Sequence, residues 1–308
     1  MSAIMAMLAG AAAAAQPISA PGPQGPLAGT FEKAGKNAPV VLIIPGSGPT
    51  DRDGNNPLGV KGGPYAQLAQ ALKAKGVSSV RIDKRGMFGS KAAIADPAKV
   101  TIDDYAADVH SWVRAIRKQA GARCVWVLGH SEGGLVAMTA AQKPAGICGI
   151  VLVSTGGRKL GDIIRDQIRS NPANAPVLDV TMTAIDSLES GKTVDVTGMH
   201  PALQRLFAPQ VQPYLIDMMK RQPTKLAAAV RVPVLIVQGE RDLQVSVADA
   251  EALAAAQPKA VLKLIPAMNH ALRDVASDDR AANAESYADE KAPVDADLVA
   301  AIADFVKP

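Results

Sequence analysis

The chain has 308 residues, with 33 Lys and Arg against 29 Asp and Glu and a formal net charge of +4. That length accommodates one large α/β domain or two small ones, and either buries a full core. The basic residues are spread out, with no cluster and no basic–aromatic pattern, so nucleic-acid binding has little support.

No acidic or basic side chain occurs before Glu32, and residues 4–15 form an apolar, alanine-rich run ending in Ala13-Ala14-Ala15-Gln16. The run is too short for a comfortable membrane span, and its small-x-small ending suits signal peptidase. Residues 1–15 are therefore expected to be a cleaved export signal, although its start carries no Lys or Arg. This reading makes the protein periplasmic or secreted, without stable membrane insertion. The alternative is a disordered Ala/Pro-rich leader on a cytoplasmic protein. Residues 16–26 then read as a flexible Pro/Gly leader.

From residue 38 to 157, apolar runs alternate with helical stretches. Residues 39–45 (PVVLIIP) predict a strand, 65–75 a helix, 77–83 a strand, 103–119 a helix and 124–128 a strand. A helix after Ser131 and a strand over 147–154 follow. Continuous Val/Ile/Leu runs between helices imply a parallel sheet covered on both faces. The rhythm breaks over 158–228, which is amphipathic, helical and interrupted by prolines. It resumes with strands at 232–238 and 260–265 and helices at 247–256 and 294–306. An insertion between two strands of one sheet reads as a lid over their carboxyl ends, where ligands bind in open α/β sheets. The core is thus expected over 27–157 and 229–308. Cys124 and Cys148, the only cysteines, each begin a strand of this scheme. They read either as a disulfide suited to an exported protein or as two buried thiols.

The segment joining strand 124–128 to its helix is Gly129-His130-Ser131-Glu132-Gly133. A strand, then Gly-x-Ser-x-Gly, then a helix is how a serine hydroxyl is presented as a nucleophile. The sharp turn strains the serine backbone, and Gly129 and Gly133 allow the close approach it requires. The bland alternative is a turn in which Ser131 merely caps the helix. Such a nucleophile needs a base and an orienting carboxylate. Of the four histidines, His130 is expected to point away from Ser131, His110 to lie on a helix face and His200 in the insertion. His270 follows a strand end and can reach Ser131. Asp242, on the loop after strand 232–238, supplies the acid, whereas Asp249 lies in a predicted helix. The order Ser131, Asp242, His270 is that of α/β-hydrolase triads. The backbone N–H groups of Glu132 and Ser47 are the expected oxyanion donors, with Gly48 as an open alternative to Ser47. Asp51, Arg52 and Asp53 read as loop-fixing ion pairs and caps rather than metal ligands, and Asp83 and Arg85 as pins of a neighbouring loop.

Four separated motifs carry a resemblance: GHSEGG around Ser131, PGSGPTDRDGN at 45–55, DKRGMFGS at 83–90, and GERD at 239–242 followed by His270. Together they resemble bacterial α/β-hydrolase esterases of the serine-aminopeptidase-like, EstD-related group. The resemblance implies an α/β-hydrolase fold: a mostly parallel sheet with helices on both faces and a helical lid inserted between strands. It implies hydrolysis of short-chain carboxylic esters without metal or cofactor, and assigns the roles just named to Ser131, Asp242, His270, Ser47 and Glu132. The partner expected is a small-molecule ester. A peptidase, thioesterase or lactonase uses the same triad, and a non-catalytic ligand-binding protein of this fold is the rival of another class. Against the family pattern, the N-terminal strands look abbreviated, with only residues 26–33 before the first strong strand and no room expected for the additional domain of some relatives. The apolar lid residues Leu203, Leu206, Phe207, Tyr214, Leu215 and Met218 either line an acyl pocket or pack the lid.

Overall fold

The computed structural model describes residues 14–57, 59–277 and 279–307, so the expected export signal lies, but for its last two residues, outside the described residues. In chain order the strands are β1 (Gln16–Pro21), β2 (Pro26–Glu32), β3 (Val40–Ile44), β4 (Ser78–Ile82), β5 (Val125–His130), β6 (Ile147–Val153), β7 (Val234–Gly239) and β8 (Val261–Ile265). They form one sheet in the order β1-β2-β4-β3-β5-β6-β7-β8. The pairings β1–β2 and β2–β4 are antiparallel, and all others are parallel. The helices are α1 (Pro64–Ala74), α2 (Ile102–Ala120), α3 (Glu132–Ala140), α4 (Leu160–Arg169), α5 (Leu178–Glu189), α6 (Pro201–Leu206), α7 (Gln212–Met219), α8 (Pro223–Ala229), α9 (Val247–Ala256), α10 (Arg280–Ala288) and α11 (Ala296–Val306).

The unbroken apolar runs of the central strands reflect burial on both faces. Along β3, Val40, Leu42 and Ile44 face the core beneath α2, α3 and α9, while Val41 and Ile43 face the core beneath α1 and α11. Strands β6 and β7 split the same way: Ile150, Leu152, Val234 and Ile236 on one side, Val151, Val153, Leu235 and Val237 on the other.

The expectation of a flexible leader over 16–26 is corrected by the structure. Residues 16–21 form β1, which pairs with β2 from Gln16 opposite Phe31 to Pro21 opposite Pro26. Ile18 and Ala20 alternate into the core. The Pro/Gly-rich residues 22–25 are the hairpin turn, closed by Gly22 N–H donating to Gly25 O. Proline is tolerated here because an edge strand need not donate on its outer side. Ser111 Oγ, on α2, donates to Pro21 O and anchors the strand. The N-terminal edge is therefore not abbreviated but is built partly from the segment read as leader.

Helices α4 to α8 lie between β6 and β7 in the chain, as the insertion reading requires. They carry their own small core around Ile164, Ile185, Leu188, Leu203, Phe207 and Met219. Of the six lid residues singled out in the sequence, Leu203 and Phe207 are part of that core and Leu206 and Leu215 pack against it. Met218 and Tyr214 join the main core, Tyr214 edge-on to Tyr105 of α2. The lid is tied to the body at two places. Asp217 accepts from Ile102 N and Arg221 pairs with Asp103, while Gln167 Nε2 donates to Gln244 O beside the loop carrying Asp242. Cys124 and Cys148 are disulfide-bonded at the amino ends of β5 and β6, away from the carboxyl ends where the lid sits.

Candidate active site

Ser131 sits between β5 and α3 with φ 54° and ψ −120°, a conformation that costs a non-glycine residue strain. Its side chain makes no cap hydrogen bond to the helix, which removes the capping reading. The turn closes this tightly only because of its glycines. A Cβ on Gly129 would strike the Gly133 backbone, and one on Gly133 would strike Ile44 O and Pro45 O of the neighbouring strand end.

The residues picked from the sequence all stand at carboxyl ends of parallel strands: Ser47 beyond β3, Ser131 beyond β5, Asp242 beyond β7 and His270 beyond β8. Asp242 Oδ2 lies 2.8 Å from His270 Nδ1. Its Oδ1 accepts from Gln244 N and Val245 N at 2.8 and 2.9 Å, and Gln238 Nε2 donates to Oδ2 at 3.2 Å. Burial pushes this carboxyl up, but the charge and hydrogen bond of His270 and the two N–H groups outweigh it and hold it below the usual range. A carboxylate only accepts, so His270 Nδ1 carries the proton of this bond. The two loops are laced together by Glu240 N donating to Ile265 O and Arg241 N to Met268 O. Asn269 Oδ1 accepts from Ala271 N and Arg273 N, folding the loop that carries His270. The buried Arg273 guanidinium ties that loop to the carbonyls of Lys61, Ser286 and Asp289.

His130 connects the serine turn to His270. Its Nε2 lies 3.0 Å from His270 O and its Nδ1 2.7 Å from Tyr65 Oη. A carbonyl accepts only, so Nε2 donates and Nδ1 accepts from the Tyr65 hydroxyl. Tyr65 Oη in turn accepts from Gly46 N at 3.1 Å. Burial, with the nearby His270 ring, lowers the His130 pKa from 6.5 to about 3, so the ring is neutral. His130 thus turns beneath the elbow to brace the backbone of His270.

Among the described residues, neither Ser47 N–H nor Glu132 N–H donates to another protein group. Glu132 opens α3, where free N–H groups and the helix dipole favour negative charge. The loop after β3 is held as the sequence implied. Asp51 Oδ1 accepts from Asp53 N and Asn55 N at 2.9 Å, Arg52 pairs with Asp83, and Asp53 pairs with Arg81. Arg85 grips Asp108 and Asp104. His110 lies on α2 and His200 caps α6 by accepting from Ala202 N, both outside the cluster. Asp249 is fully buried and bound to Arg158 and Ser246 rather than to any histidine. Sequence reasoning missed Lys84 and Tyr65, whose side chains converge on Gly46. A buried lysine between two pinning residues leaves no signal of its own in a single sequence.

Esterase EstD of Thermotoga maritima is 28% identical over 226 residues, covering 72% of this chain and 51% of that protein, so the chain spans about half of its length. The Pyrococcus furiosus esterase Pf2001 superposes with a TM-score of 0.57 at 13% identity, covering 95% of this chain and 91% of the other. Proline iminopeptidase of Mycobacterium smegmatis does so with a TM-score of 0.58 at 14% identity, covering 95% and 97%. At those identities the two structures establish a shared fold. Residues 58–274 match the family model for serine aminopeptidase, S33, and the chain belongs to that family of α/β-hydrolases.

Proposed function

We propose that this protein is a serine hydrolase that cleaves carboxylic esters with short acyl groups. The observation that carries the reading is the Asp242–His270 hydrogen bond, in a loop braced by His130 against the strained Ser131 turn. In this reading His270 Nε2 takes the Ser131 hydroxyl proton as Oγ attacks the ester carbonyl, and Asp242 stabilises the imidazolium. Ser47 N–H and Glu132 N–H receive the oxyanion. His270 then protonates the departing alcohol, and water activated by the same ring clears the acyl-enzyme. Names of relatives support ester chemistry, since the EstD and Pf2001 proteins are both called esterases. Commitment of the large lid side chains to packing favours short acyl groups over a long acyl channel.

Export is proposed with it. Residues 1–15 carry the sequence pattern, and the Cys124–Cys148 disulfide suits an oxidising compartment.

The test is hydrolysis of p-nitrophenyl esters from acetate to decanoate, with a thioester and an aminoacyl anilide alongside. Wild type is expected to turn over the short esters fastest, and Ser131→Ala to lose about 10⁴-fold or more in kcat. Preference for the anilide or thioester, or an unaffected Ser131→Ala, overturns the reading.

A further inference from the structure

Gly46 is held from both sides by buried side chains. Its N–H donates to Tyr65 Oη, and its carbonyl accepts from Lys84 Nζ at 2.7 Å. Lys84 Nζ also donates to Glu132 Oε1 at 3.0 Å, and the two side chains are only 3% and 2% exposed. The Lys84 ammonium is therefore bonded at once to the residue before Ser47 and to the residue after Ser131.

The Gly46 carbonyl and the Ser47 N–H belong to the same peptide unit. In a planar trans peptide these two groups point in opposite directions, and the described chain has no cis peptide. Fixing the carbonyl toward Lys84 fixes the Ser47 N–H away from it. A cation on the carbonyl oxygen also draws electron density through the amide and strengthens that N–H as a donor. The pair meanwhile neutralises a carboxylate one residue from the nucleophile, where a bare negative charge would oppose an oxyanion. Stability alone is a poor reason to keep such a pair, since apolar replacement of a buried ion pair is often neutral or stabilising.

We propose that Lys84 is the positioning residue of the oxyanion hole, aiming and polarising the Gly46–Ser47 peptide while Glu132 holds its ammonium in place. The proposal rests on the reading of Ser47 N–H as an oxyanion donor in an ester hydrolase. It extends that reading to a side chain that touches neither substrate nor triad.

The test compares wild type with the double variant Lys84→Met, Glu132→Leu, which removes both charges together and releases the Gly46 carbonyl while keeping the Glu132 backbone N–H. Removing an oxyanion donor outright costs about 10²–10³ in kcat, so a misaimed one is expected to cost about tenfold to a hundredfold. KM is expected to stay within about threefold, because the interaction is made in the transition state. Inhibition by an alkylboronic acid, whose adduct with Ser131 Oγ is tetrahedral, is expected to weaken by the same factor as kcat. Binding of the planar product carboxylate is expected to stay unchanged. If the double variant does not fold, Lys84→Gln with Glu132→Gln takes its place, with a smaller loss in the same two quantities. A kcat and a boronate constant both within about twofold of wild type overturn the role of Lys84. Labelling of Ser131 by a fluorophosphonate separates the two levels. Complete labelling with unchanged kcat removes Lys84 alone, whereas an unlabelled wild type removes the hydrolase reading and this inference with it.

Discussion

His130 shows how one side chain serves the fold and the site together. It lies next to Ser131 in sequence, yet its ring turns beneath the elbow to bridge Tyr65 and the His270 carbonyl. Holding it neutral has a consequence for stability. The folded value is depressed to about 3 from 6.5, so below pH 6.5 the unfolded chain takes up a proton that the folded chain refuses. Stability from this residue is full above pH 6.5 and is lost as the pH falls toward 3, by up to about 1.4 kcal/mol per pH unit. Denaturant titrations of wild type and His130→Gln across that range are expected to show the wild type losing stability more steeply. Parallel slopes would mean that His130 is not held neutral. The residue-level chemistry was legible in part. The strained turn at Ser131 and the Asp242–His270 pair were readable from residue type, order and place after strands. The partners of His130 were not, because Tyr65 is remote in sequence and only the closed turn brings it near.

At the scale of elements, the segment by which the chain leaves β6 for the inserted helices is fixed by the carboxylate of Asp249. Asp249 Oδ1 accepts from Gly157 N and Arg158 N where the chain leaves the sheet, and its Oδ2 accepts from Arg158 Nη2 and Ser246 Oγ. Asp242 and Asp249 lie seven positions apart yet do different work. Asp242→Asn is expected to lower kcat about 10⁴-fold while stability changes little, because the imidazole loses its orienting charge. Asp249→Asn is expected to leave kcat within a few-fold but to cost about 1–3 kcal/mol, since Arg158 loses a buried acceptor. Ester turnover and denaturant midpoints measured on both variants check this, and the reverse pattern would exchange their roles. Element types were readable wherever hydrophobic runs were long, as in β3, β6 and β7. They were not for β1, whose prolines suggested a loose leader, nor for α10, whose sequence RAANAESYA has too few apolar positions to mark a face. Pairing with β2 decided the first, and packing beside the Arg273 loop decided the second.

Over the whole molecule, a sheet whose central strands are buried on both faces carries residues 47, 131, 242 and 270 beyond the carboxyl ends of its parallel strands, with the inserted helices tied to α2 and to the loop carrying Asp242. The parallel order and the insertion followed from the alternation of strands and helices along the chain. The antiparallel β1–β2 edge depended on hairpin pairing that periodicity alone does not specify. The central claim is that Ser131 is the nucleophile of an acyl-transfer reaction. Its most direct test is intact-mass and peptide mapping of the wild-type protein after reaction with a fluorophosphonate. The account predicts one adduct per chain, on the peptide containing Ser131, absent in Ser131→Ala. No adduct on the folded protein, or one on another residue, would contradict it.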